Sequence, residues 1–394
     1  MVAAPLHARE PRFHELDILR GLAAITVVVF HYKHFLLISD AAGFDYSHMP
    51  FSTVLMPLYV FGQFFVELFF AISGYVFFWL YAQGVEQRRT GPWSFFVARF
   101  ARLYPLYLVT LLVVAALQAV YRSHYGADFI YKDDSLGAFV LNLFMVQQWV
   151  PSAIQSFNGP AWSISVEVFL YAVFFALCWF RLNRPWMLVL LFVVGAVVRV
   201  HSDPTVDFVR GVPSFFEGGL VYYLVQTLRR HEVWRRRAVI GLAVALPAMW
   251  ALSYARGFQP INVLVAPGLL NAVFSVVTFL YILLPLTLLA IGLMQDHWKA
   301  AWLSRDSLHR VSWIGDISYS IYLIHFPLQL LVMLGLARLP FAVRAHIFAS
   351  PFSLLGFMAA AAGLAWLSFH YFEMPLRRYL TRRMRPLASQ AAAE

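Results

Sequence analysis

Residues 16–38 read LDILRGLAAITVVVFHYKHFLLI, an apolar run broken by Arg20, His31, Lys33 and His34. The run outlasts the roughly 7–15 residues of a signal-peptide core and matches the about 20 residues a helix needs to cross a bilayer. It reads as a retained transmembrane helix with ionisable side chains inside it.

The pattern repeats along the chain. Of 394 residues, 61% are hydrophobic and 13% charged, against about 25% charged in soluble domains. A water-soluble core could not hide so many long apolar runs, whereas a hydrocarbon layer about 30 Å thick suits each of them. Hydropathy places spans at 15–38, 58–82, 96–121, 163–180, 186–200, 208–228, 237–254, 270–294, 313–336 and 349–372. The expected fold is therefore all-α, a polytopic integral membrane protein of about ten transmembrane helices surrounded by lipid. Residues 136–150 are also apolar but marginal in length, and precede a Gly-Pro turn, so they read as interfacial or re-entrant. With no fixed-period repeat and no long polar insert, residues 1–385 form one expected transmembrane domain and 386–394 a disordered tail.

A net charge of +10 raises nucleic acid as a partner, but the cations lie in short clusters between apolar spans and form no basic surface. They report topology. With ten spans, about 22 of the 30 Lys and Arg fall on one side, including Arg20, Arg99, Arg102, Arg229 and Arg377. The positive-inside bias then puts both termini in the cytoplasm. Cys178 is the single cysteine, so no intramolecular disulfide forms.

A charge at helix-centre depth costs about 2.5–3.5 kcal/mol on insertion scales and calls for a partner, water or a function. Arg20 and His31, eleven residues apart, return to one helix face about 16 Å apart along the axis. A neutral imidazole at His31 suits proton transfer, and equally suits a hydrogen bond between helices. Arg99 and Arg102 share a face and would clamp phosphate or anchor the helix end. In Asn158-Gly159-Pro160-Ala161-Trp162-Ser163-Ile164-Ser165-Val166-Glu167, Ser163 and Glu167 lie one turn apart. Glu167 enters the outer half of its span, where contact with His31 is geometrically allowed. Ser318, Tyr322 and His325 make a polar stripe, and Glu67 and Glu217 are further carboxylates within spans. No Gly-x-Ser-x-Gly elbow occurs, and the thirteen histidines lack the spacing of a zinc site, so no metal is expected.

Together these residues resemble the acyltransferase-3 family of bacterial membrane proteins, along nearly the whole chain. The opening Glu15-Leu16-Asp17-Ile18-Leu19-Arg20-Gly21-Leu22-Ala23-Ala24, followed by Phe30-His31, is similar to its Arg-x10-His first-helix motif. Phe64-Phe65-Val66-Glu67-Leu68-Phe69-Phe70-Ala71-Ile72-Ser73-Gly74-Tyr75 looks like its Val-Asp-Leu-Phe-Phe-x-x-Ser-Gly-Phe run, with Glu67 in place of Asp. Arg99-Phe100-Ala101-Arg102-Leu103-Tyr104-Pro105 resembles its Arg-x-x-Arg element. Trp162-Ser163-Ile164-Ser165-Val166-Glu167 resembles its Trp-Ser-Leu-Ser-x-Glu motif, with Val168 where a second Glu is common. Ile317-Ser318-Tyr319-Ser320-Ile321-Tyr322-Leu323-Ile324-His325-Phe326-Pro327 and Phe372-Glu373-Met374-Pro375-Leu376-Arg377 are similar to two later signatures.

The resemblance implies transfer of an acyl group, usually acetyl from acetyl-CoA, to a hydroxyl of a carbohydrate such as O-antigen, exopolysaccharide or a lipo-oligosaccharide, with or without a lipid carrier. It implies a multi-pass protein of the bacterial inner membrane, and allows a homodimer. His31 becomes the expected catalytic base or acyl carrier, with Glu167 and Ser163 beside it. Arg20, Arg99, Arg102, Ser73 and Gly74 become the cofactor-binding set. Trp162, Tyr322, His325 and Glu217 become the acceptor-binding set. The reading from another class is a transporter or exporter of a lipid-linked sugar or small acylated metabolite, since polar stripes at membrane depth also line substrate pathways.

Overall fold

The computed structural model describes residues 13–36, 45–150, 155–202, 207–255, 279–294 and 305–384. Among them every regular element is helical. The main ones are α1 (His14–His31), α2 (Ser52–Phe61), α3 (Phe65–Leu80), α4 (Pro92–Tyr125), α5 (Trp162–Trp179) and α6 (Pro185–His201). There follow α7 (Phe208–Arg229), α8 (Glu232–Ala255), α9 (Leu284–Met294), α10 (Ser318–Gly335), α11 (Pro351–Ser368) and α12 (Met374–Arg383).

Local chemistry sets several of these boundaries. Pro92, Pro185 and Pro351 begin their helices, where a missing N–H costs nothing. Gly126, at φ 71°, ends α4 in a left-handed cap that favours glycine.

Helices cover the described part of every expected span. Among the described residues five are long and apolar enough to cross a membrane: Ser52–Leu80, Pro92–Tyr125, Gly159–Trp179, Ser318–Gly335 and Pro351–Arg383. Pro185–Arg199 and Leu280–Met294 are shorter apolar helices. The first run differs from the others because Glu15, Asp17 and Arg20 crowd its first two turns. Of the expected span 270–294, residues 270–278 lie outside the described residues, as do 37–38 of the first span and the tail 386–394.

The stretch 136–150 holds only an eight-residue helix, Leu136–Leu143, too short to span. The chain after it turns back onto the start of α5. There the Gln148 backbone N–H donates to Ser165 Oγ at 3.1 Å and the Trp149 indole donates to the Ser165 carbonyl at 3.0 Å.

Apolar side chains lie both inside and outside. Val27, Val28, Phe174, Phe215, Leu323 and Phe326 are fully buried. Phe352, Leu136 and Val244 are 84%, 79% and 72% exposed, a surface that suits hydrocarbon better than water.

Close helix contact fixes the centre. A Cβ built on Gly74 of α3 would lie 1.9 Å from the Phe215 carbonyl oxygen, and one on Gly218 of α7 would lie 1.9 Å from that of Ala71. The two glycines let the α3 and α7 backbones touch, as small residues do where membrane helices cross. The buried Glu67 nearby receives Arg210 at 2.9 Å and Arg199 at 3.1 Å, and Asp207 takes a second arm of Arg210 at 2.9 Å. Two cations and two anions cancel there, which is how charge inside a membrane bundle is tolerated.

Candidate functional site

Two cavities that share wall residues lie in the bundle beside α1. The outer one, a vestibule of about 460 Å³, is walled by Phe13, Asp17 and Arg20 of the α1 region, Trp79 of α3, Arg102 of α4, Asp316, and Glu373 and Arg377 at the end of the chain. The inner one is a narrow cleft of about 80 Å³ lined by Ser73, Ser163, Glu167, Tyr171 and Tyr322 among apolar side chains. Arg20, Val76, Arg102 and Tyr319 line both, so two guanidinium groups stand at the neck. Moving inward along each helix, Val76 gives way to Ser73, Tyr319 to Tyr322, and Tyr171 to Glu167 and Ser163.

The cleft wall is held by a polar network. Ser73 donates to Glu167 Oε1 at 3.2 Å, and the Tyr171 hydroxyl, one turn on from Glu167, donates to the same oxygen. At the inner end the Tyr322 hydroxyl donates to the Pro160 carbonyl and so accepts the proton of Ser163 Oγ, 2.8 Å away. Tyr322 and Ser163 are thereby tied together in the cleft wall.

Behind Tyr322 lies a histidine pair. His325 Nε2 and His31 Nδ1 are 3.2 Å apart, their rings stacked at 4.9 Å, and His325 Nδ1 faces the Ile321 carbonyl at 3.3 Å. A carbonyl only accepts, so His325 Nδ1 carries the hydrogen. In neutral rings His325 Nε2 is then the acceptor and His31 Nδ1 the donor. The assignment leaves the lone pair of His31 on Nε2, the atom a general base uses. Gln329 Nε2 donates to the His31 carbonyl at 2.8 Å, and His34 stands 5.1 Å away, ring to ring. Among the described residues, no three His, Cys, Asp or Glu side chains converge as metal ligands would.

The structure brings part of the set expected from sequence into one cleft and places the rest elsewhere. Arg20, Arg102, Ser73, Ser163, Glu167 and Tyr322 share the cleft. His31 is buried and pairs with His325, while Glu167 is engaged by Ser73 and Tyr171.

Arg99 parts from Arg102. It donates to the Tyr81 hydroxyl at 2.7 Å and lines a separate apolar cavity with Phe95, Phe96 and Met145. Helical spacing of three leaves about 60° between side chains, enough to send the two arginines to different cavities. Gly74 contacts α7 and lines neither cavity, because its missing Cβ serves helix packing.

Trp162 lies beneath Arg210, 4.7 Å from its guanidinium carbon, and is likewise absent from the cleft wall. Glu217 is buried in α7 and lines none of the described cavities. His325 is turned to His31 and not to the cleft. Tyr171 and Tyr319 were not singled out from the sequence. The i, i+4 spacing of Glu167 and Tyr171 was the available signal for the first.

A bundle of apolar helices with an arginine-lined cleft walled by Ser, Tyr and a half-buried Glu, and a histidine pair next to Tyr322, fits a membrane enzyme of group transfer. The family model described as "Acyltransferase domain", Acyl_transf_3, matches residues 13–370, and the chain belongs to the acyltransferase-3 family. It is an acyltransferase for groups other than aminoacyl groups. Among curated relatives, it is 24% identical to "Acyltransferase MdmB" of Streptomyces mycarofaciens over 351 residues, 81% of this chain and 79% of that one. It is 30% identical to "Protein 2 in picA locus" of Rhizobium radiobacter over 197 residues, 48% of this chain and 92% of that one. No solved structure gives a significant match.

Proposed function

We propose that the protein transfers an acetyl group from acetyl-CoA to a hydroxyl of a carbohydrate, such as a surface polysaccharide or lipo-oligosaccharide, across the bacterial inner membrane. In this reading the chain crosses ten times with both termini in the cytoplasm. The vestibule then opens on the basic side, where the coenzyme is made.

The observation that carries the reading is the arginine neck between vestibule and cleft, with the histidine pair behind the cleft's inner end. Arg20 and Arg102 offer forked donors to the pyrophosphate, and the pantetheine arm follows the cleft inward. The eleven residues from Arg20 to His31, about 16 Å of helix, are a span that an extended pantetheine arm covers.

Turning Tyr322 aside joins the cleft to His31. His31 Nε2 takes the proton of the acceptor hydroxyl as its oxygen attacks the thioester carbonyl. The tetrahedral adduct then expels the CoA thiolate, which regains the proton, leaving an ester and free CoA. With Tyr322 turned aside, the Ser163 hydroxyl it releases is the donor this scheme gives to the oxyanion. A metal has no part in this scheme. The exporter reading loses its support because family membership already accounts for the polar stripe.

Washed membranes containing the protein, given labelled acetyl-CoA, should transfer label to endogenous glycan. The His31→Ala variant, present at equal level in the membrane, should transfer none. Transfer at the wild-type rate by that variant would remove His31 from the chemistry.

A further inference from the structure

We propose that Arg377, at the mouth of the vestibule, binds the ribose 3′-phosphate of the coenzyme; this rests on the coenzyme A reading above. The neck fixes the argument. Arg20 and Arg102 line both cavities, so a thioester in the cleft leaves its pyrophosphate beside them. The rest of the nucleotide, the phosphorylated ribose and adenine, then occupies the vestibule.

Among the described residues the vestibule has one further arginine on its wall, Arg377 in the first turns of α12, which does not reach the cleft. The π-turn Phe369–Glu373 between α11 and α12 brings this end of the chain over the cavity, and it is anchored where Glu373 accepts from Ser320 at 2.6 Å and Ser368 at 2.8 Å. A phosphomonoester matches the planar, multi-donor guanidinium. Phe13 and Trp79, in edge contact at 5.1 Å, give the same vestibule an aromatic wall for the base.

Asp17, Asp316 and Glu373 also line the vestibule and, among the described residues, balance the three arginines in formal charge. Selection there rests on placed donors more than on bulk attraction. An anionic lipid headgroup offers the same phosphate chemistry at a membrane surface, and the choice of substrates separates the two sources.

Initial rates of label transfer in membranes are measured with acetyl-CoA and with acetyl-dephospho-CoA, which lacks only the 3′-phosphate. For the wild type the KM for acetyl-dephospho-CoA should be about tenfold the higher, the worth of one charge-assisted contact. Arg377→Gln should raise the KM for acetyl-CoA about tenfold and leave that for acetyl-dephospho-CoA unchanged, with kcat unaltered in both. Arg377→Lys should fall between. An equal rise for both donors would assign Arg377 to something they share or to lipid, and no rise for either would remove it from the site; each outcome overturns the proposal. Transfer from neither donor by the wild type would instead defeat the coenzyme A reading, and this assignment with it.

Discussion

Replacing His325 tests the histidine pair directly. His325 Nε2 accepts from His31 Nδ1 at 3.2 Å, with its own Nδ1 committed to the Ile321 carbonyl. When His31 takes a proton it becomes a cation, and the contact becomes charge-assisted, worth about 1.5–3 kcal/mol. His325→Leu keeps the bulk, removes the acceptor and frees the His31 tautomer. At about 1.4 kcal/mol per tenfold, kcat should fall about 10- to 150-fold. The KM for the thioester should stay within twofold, because His325 lines neither cavity. His325→Gln, whose amide oxygen reaches the place of Nε2, should restore kcat to within about fivefold of wild type. The assay is initial-rate label transfer from acetyl-CoA in membranes normalised for protein content. Wild-type kcat in the leucine variant would reduce the pair to packing. Equal losses in both variants would mean that the ring, and not its acceptor nitrogen, is what matters.

Two further outcomes follow from geometry elsewhere in the fold. Gly74→Ala places a methyl 1.9 Å from the Phe215 carbonyl, about 1.5 Å short of an ordinary contact. The strain should cost about 1–3 kcal/mol or more and show as earlier thermal aggregation in detergent, with thioester KM unchanged in the folded fraction; a raised KM at normal stability would return Gly74 to the cofactor set. In the loop after α4, Asp134 accepts the Phe157 N–H at 2.8 Å, and burial pushes its carboxyl up from 3.8 to about 6. A carboxyl raised on folding binds its proton more tightly when folded, so loop stability is gained as pH falls from 6 towards 4 and is missing above 6. Limited proteolysis between residues 126 and 157 should therefore be slower at pH 5 than at pH 7.5, and Asp134→Asn should abolish that difference; an unchanged difference would assign it to another group.

The helices were legible in the sequence because hydrocarbon demands long apolar runs, and each span leaves its own composition behind. Arg20 and Arg102 were legible for a related reason: a guanidinium at such depth stands out against its neighbours. Partner choice was harder to read. Arg99 and Arg102 look equivalent by spacing, yet Tyr81 captures one and the neck the other.

His31 and Glu167 sit at compatible depths, but depth says nothing of rotation about the helix axis. Packing turned His31 to α10 and left Glu167 to Ser73 and Tyr171. Gly74 stands next to Ser73 in the same motif and shares none of its chemistry. One residue along a helix is 100° around it, enough to exchange a cleft for a helix interface.

The hydroxyl lock of Ser163, Tyr322 and Pro160 also bears on the membrane as an electrical insulator. A wet passage continuous from the basic side to the opposite face would conduct protons and dissipate the gradient that powers the cell. On the proposed route, the seated tyrosine interrupts such a conduit. On that proposed route acyl groups cross one at a time and the barrier to ions stays intact.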